Sequence, residues 1–152
     1  MASHHSNETS RAVPAKVVVL RIEPGADLKE SLDELARRHA IEAGVVITCV
    51  GSLSRAVIRL ATGTTTRTLR RKLEIVSLVG TLSARGGSHL HVSLADTRGA
   101  VVGGHVKPGC IVFTTAEVAV GMLAGVQFER EQDERTGYRE LVVRRGRKAP
   151  RA

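Results

Sequence analysis

The second half of this chain reads as one strand-length segment after another. After Gly44 the apolar segments are VVITCVGSL (45–53), AVIRLAT (56–62), LEIVSLVGTLS (73–83), HLHVSLAD (89–96), AVVGGHV (100–106), CIVFTTAEVAV (110–120), VQFERE (126–131) and YRELVVR (138–144). Gly63, Gly86-Gly87, Arg98-Gly99, Pro108-Gly109 and Gly137 separate them, and such residues mark turns. Links this short between successive strands force antiparallel pairing. KVVVLRI (16–22) adds a strand at the front, and residues 27–43 supply one amphipathic helix. There Asp27 is a capping residue, Glu30 stands three positions on, and Leu28, Leu32, Leu35, Ala36 and His39 recur at helical spacing up to Gly44. One early helix followed by many strands predicts an α+β fold, an antiparallel (mixed) β-sheet with one main helix packed on it.

With 152 residues, the chain suits one domain with a real core. Residues 1–15 read as a flexible leader, 16–143 as the domain and 144–152 as a basic tail. Phe113, Phe128 and Tyr138 are the only aromatic side chains, too few for a platform that stacks single-stranded bases. Cys49 and Cys110 sit inside apolar runs, as free thiols do in a reducing compartment. The N-terminus lacks the apolar stretch of a secretory signal. The longest uncharged apolar run, VAVGMLAGV (118–126), is well short of the roughly 20 residues a bilayer requires. The expectation is a cytoplasmic protein with no membrane partner.

The net charge of +8 is unevenly spread. Residues 144–152 hold Arg144, Arg145, Arg147, Lys148 and Arg151 with no acid, and residues 63–72 hold four more basic groups with no acid. The remainder is close to neutral, so the basicity lives in a tail and one loop. Such runs are solvated surface or a patch for a polyanion.

Three of the six histidines fall within SHLHVSLADTRGAVVGGHV (88–106). Strand alternation puts His89 and His91 on one face and Leu90, Val92 and Leu94 on the other. A two-residue turn at Thr97-Arg98 pairs His91 with Gly104. A three-residue turn, or a bulge at Gly103-Gly104, instead pairs His91 with His105 and gathers three imidazoles. Three histidines with a vacant fourth position suit zinc or another divalent metal, and Asp96 or Glu74 could orient a ligand from behind. The alternative is a polar strand face with no ligand. No nucleophile elbow, phosphate loop or dinucleotide fingerprint is present, so no catalytic residue is assigned and the reading leans away from an enzyme.

The segments GSLSRAVIRL (51–60), LEIVSLVGTLS (73–83), HLHVSLADTRGAVVGGHV (89–106) and CIVFTTAEVAV (110–120), in this order, resemble the plants-and-prokaryotes-conserved (PPC) domain. The resemblance spans about residues 16–143. It implies an antiparallel sheet with a packed helix and a homotrimer. It also implies kinship with plant AT-hook nuclear proteins and with stand-alone bacterial proteins labelled DNA-binding or regulatory, without a firm biochemical function. The family's histidine signature falls on His89, His91 and His105.

Two functions therefore compete, beside a plain assembly scaffold. One is a trimeric module in transcription regulation that binds duplex DNA through Arg144, Arg145, Gly146, Arg147, Lys148 and Arg151. The other is a metal-binding enzyme or small-molecule sensor at the three histidines. The tail is only AT-hook-like. Arg145-Gly146-Arg147 is followed by Lys148, where a minor-groove hook carries proline.

Overall fold

Asp27 starts the single helix. In the computed structural model, which describes residues 13–146, the order is β1 (Ala15–Ile22), α1 (Leu28–Arg38), β2 (Gly44–Arg59), β3 (Thr66–Ser83), β4 (Gly87–Ala95), β5 (Val101–Val106), β6 (Ile111–Leu123), β7 (Val126–Gln132) and β8 (Arg139–Arg145). The Asp27 carboxylate accepts from the backbone N–H of Lys29 at 2.9 Å and of Glu30 at 3.1 Å, satisfying donors that a helix start leaves free. Its second oxygen accepts from Gly109 N–H, which ties the helix start to the turn before β6. Leu28, Leu32, Leu35 and Ala36 are buried, as the spacing requires.

The helix ends at Arg38, five residues before the expected stop. Ala40 takes a left-handed φ of 48°, and Ile41 N–H returns to the Ala36 carbonyl at 2.9 Å. That closure turns Ile41 into the core at 1% exposure. His39 becomes the exposed C-terminal cap rather than part of the apolar face, and Gly44 opens β2 instead of ending the helix.

Six strands form one sheet in the order β1-β6-β2-β3-β4-β5, and β7 and β8 form a separate hairpin. Every strand pairing described is antiparallel. The end of β2 also meets β5, pairing Ile58 with Val106 and Arg59 with His105. Strands β2 to β5 thus curl into a closed ring. Leu53, Ile58, Leu73, Leu82, Leu90, Leu94 and Val106 fill its inner face with α1 and are essentially unexposed. The opposite face carries exposed Val17, Val19, Ile47, Val50, Val76 and Val79.

Two expectations change. The segments 45–53 and 56–62 are one strand, β2, with an irregularity between Leu53 and Arg55. Most of the basic segment 63–72 is strand, not loop, since β3 begins at Thr66. Leu69 and Leu73 are buried, while Arg67, Arg70, Arg71 and Lys72 point to solvent. Consecutive basic residues conceal the alternation that would have announced the strand. Arg71 pairs with Asp96 at 3.5 Å, and Lys72 Nζ lies 4.6 Å from the centre of the Phe113 ring.

Candidate metal centre

The register of β4 against β5 decides whether three imidazoles meet. Leu90, Val92 and Leu94 are buried, so His89 and His91 project from the face turned away from the core. The chain turns through Thr97, Arg98 and Gly99, with Asp96 N–H donating to the Ala100 carbonyl at 3.0 Å and Gly99 N–H to the Asp96 carbonyl at 2.8 Å. Gly99 takes φ 77°, where a side chain is strained. The Asp96 carboxylate accepts from Arg98 and Ala100 N–H and holds the loop. This is the three-residue turn, and it sets His91 opposite His105.

Gly103 and Gly104 pair in register and form no bulge. Their lack of a side chain has another cause. A Cβ at Gly103 would come within 2.7 Å of the Val92 carbonyl oxygen, and one at Gly104 within 2.7 Å of the Arg59 carbonyl oxygen. Strand β5 is pressed between β4 and β2 and leaves no room.

The ring centroids of His89, His91 and His105 stand 4.9 to 5.5 Å apart. The Nε2 atoms of His89 and His91 are 3.2 Å apart, and one ring nitrogen from each residue lies within 4.8 Å of the others. Burial, then the Arg59 charge, pulls the His105 imidazole down to about 4. Burial, then Arg130, lowers that of His89. At neutral pH these two rings are neutral and keep a free lone pair, the form that binds a metal. His105 Nδ1 is buried without a hydrogen-bond partner, a condition that a bound ion or ligand relieves. The donor set and the orphaned nitrogen together fit a divalent ion of zinc type.

The expected orienting carboxylates lie elsewhere. Asp96 is engaged by its turn and by Arg71, and Glu74 stands opposite Ala95, four residues along β4 from His91. The neighbours actually present come from distant segments. Arg59 faces His105 across the β2–β5 pairing. Thr81 faces His89 and its hydroxyl accepts from Arg130 at 3.0 Å. Tyr138, from the turn between β7 and β8, has its ring centre 5.6 Å from the Arg59 guanidinium. Only Arg59 carried a sequence signal, as the one charge inside AVIRLAT. Its partner strand was not deducible from the order of segments.

The tail starts later than expected. β8 runs through Arg145, and Arg144 is ion-paired with Glu129 at 2.6 Å and with Glu131. Arg145 is exposed, and Gly146 N–H donates to the Gly125 carbonyl at 3.1 Å. Arg147, Lys148 and Arg151 lie outside the described residues. No helix among the described residues is long and apolar enough to cross a membrane.

Residues 10–124 match the family described as the Plants and Prokaryotes Conserved (PCC) domain. The chain is 45% identical over 128 residues to a bifunctional protein GlmU of Synechococcus sp., covering 84% of this chain and 20% of that protein. It is 32% identical over 127 residues to AT-hook motif nuclear-localized protein 27 of Arabidopsis thaliana, covering 74% of this chain and 40% of that one. It thus spans about a fifth to two fifths of the length of these relatives. Among solved structures, a protein of Archaeoglobus fulgidus described as metal-containing superposes with TM-score 0.76 at 30% identity, covering 89% of this chain and 99% of that one.

Proposed function

This chain belongs to the Plants and Prokaryotes Conserved domain family, and from that premise we propose that it is a metal-holding assembly module in which His89, His91 and His105 bind one divalent ion of zinc type. The carrying observation is the meeting of three ring nitrogens, one per histidine, within 4.8 Å on a face turned away from the core. The metal-containing description of the Archaeoglobus relative supports the reading. Three imidazole ligands leave a fourth position open, and an ion held this way supplies Lewis acidity to whatever occupies that position. Elemental analysis of protein purified without chelator is expected to find about one zinc-type ion per chain. A metal-free protein that also fails to take up added zinc contradicts the proposal.

A second reading, duplex DNA binding by a homotrimer, draws on the AT-hook relative and the basic C-terminus. Exposed valines and Ile47 on the uncovered sheet face suit contact with further copies of the chain. Arg144 is occupied by Glu129 and Glu131, so the tail available to phosphate is Arg145 onward. Removing residues 147–152 is expected to weaken duplex binding and flatten its salt dependence, because fewer counterions are released, while the sedimenting mass stays that of a trimer. Titrations at two salt concentrations check this. Equal binding by both forms removes the tail from the account, and a monomer mass removes the assembly.

A further inference from the structure

The three-histidine site opens on a cleft of about 320 Å³, bordered by His91, His105, Arg59, Gly103, Gly104 and Tyr138. That volume suits a small molecule. Gly103 and Gly104 give the floor no side chains. Tyr138 forms a wall, with its hydroxyl 2.8 Å from where a Cβ on Gly63 would stand.

The charges around this cleft are one-sided. Arg59 stands opposite His105, and directly opposed residues project from the same face. Its Nη1 donates to the Gly63 carbonyl at 3.3 Å. Arg130 reaches the other flank, where its Nη2 donates to Thr81, opposite His89. Among the described residues neither guanidinium is in an ion pair. Glu140 is the carboxylate whose field reaches both His89 and Arg130, without an ion pair to either, and its Oε1 accepts from Thr136 at 3.0 Å; Arg59 has no such neighbour among the residues that line the cleft. Imidazole ligands bring no negative charge to a divalent ion, and two guanidiniums add to its field. A half-buried cleft lined by charge of one sign attracts an anion, and no carboxylate is among the residues that line it.

We propose that the cleft binds a small oxyanion, a carboxylate or phosphate group, held between the open position of the ion and the guanidinium of Arg59, with Arg130 adding its field from the His89 side. The inference rests on the metal reading above. A guanidinium is a planar fork that matches two oxygens of such a group. The cation–π contact with Tyr138 and the bond to Gly63 hold Arg59 at the rim before a ligand arrives.

The test uses the full chain reloaded with cobalt(II), whose visible absorption reports a change in its ligands. Cobalt content is measured first. Acetate and inorganic phosphate are then titrated at constant ionic strength, with glycerol as the neutral control. At least one anion is expected to shift the spectrum saturably, and glycerol is not. Arg59→Gln is expected to bind the same amount of cobalt and to lose about 10–100-fold in anion affinity, the effect of deleting one charge-assisted hydrogen bond. Arg59→Lys is expected to recover part of that loss. Because Arg59 also braces its turn, Arg130→Gln serves as a second variant, with a loss of a few fold expected. A chain that takes up no cobalt overturns the metal reading and the anion site together. Full cobalt uptake with a spectrum indifferent to both anions, or an Arg59→Gln variant that binds them unchanged, overturns the anion site alone.

Discussion

Replacing His91 with alanine is expected to lower zinc affinity by more than about 100-fold while leaving the fold of the metal-free chain unchanged. Loss of a group that merely orients a ligand commonly costs 10–100-fold, and a ligand itself should cost more. His91 is exposed, and its side chain hydrogen-bonds to His89. No core contact is lost with it, so the circular dichroism and chemical unfolding midpoint of the apo variant should match those of the parent. His105→Ala should lose metal to a similar degree, but it sits in the pinched β2–β5 pairing and is a less clean probe. Calorimetric zinc titration of parent and His91→Ala separates the outcomes. Equal affinity in the two removes His91 from the ligand set.

Leu94→Ala is expected to cost about 2–5 kcal/mol of stability, the range for a large buried aliphatic cut to alanine. Leu94 is fully buried, paired with Ile75 on one side and Val102 on the other. Its loss leaves a void inside the ring of β2 to β5 that tightly packed neighbours cannot refill. Val19, 73% exposed on the other face, provides the contrast. Val19→Ser should leave the unfolding free energy of a single chain almost unaltered and act on association instead. Urea unfolding of both variants checks the pair. A near-zero cost at Leu94 would mean that β4 presents the opposite face to the core.

What was legible in the sequence follows from which signals are local. The faces of β4 could be read because HLHVSLAD alternates without interruption and alternation is a property of a single strand. The histidine register came down to one turn residue. Thr97-Arg98-Gly99 closes as three residues because Gly99 accepts a left-handed conformation, and Asp96 locks the loop from its own side chain. A bulge at Gly103-Gly104 was one of two routes to that register, and the glycines instead answer to strands the local sequence does not contain.

The missed features are all non-local. The helix end at Arg38 depends on Ile41 turning into the core, which outweighs the cost of a left-handed Ala40. Arg59 meets His105 because β2 curls round to β5, two strands that are not neighbours in sequence. Arg130 and Tyr138 arrive on the β7–β8 hairpin, tens of residues beyond the histidines. The hairpin also absorbs Arg144 into ion pairs, since Glu129 and Glu131 share a face of β7 with Gln127, the residue opposite Arg144, and a run of basic residues read alone gives no hint of them.

The most direct test of the account is a crystal structure of the full chain grown with zinc, with data collected on both sides of the zinc absorption edge. The account predicts one anomalous peak per chain among the ring nitrogens of His89, His91 and His105, with a non-protein ligand or water at a remaining position facing Arg59. Fully occupied protein without anomalous density at these three rings, or with the zinc bound elsewhere, would contradict it.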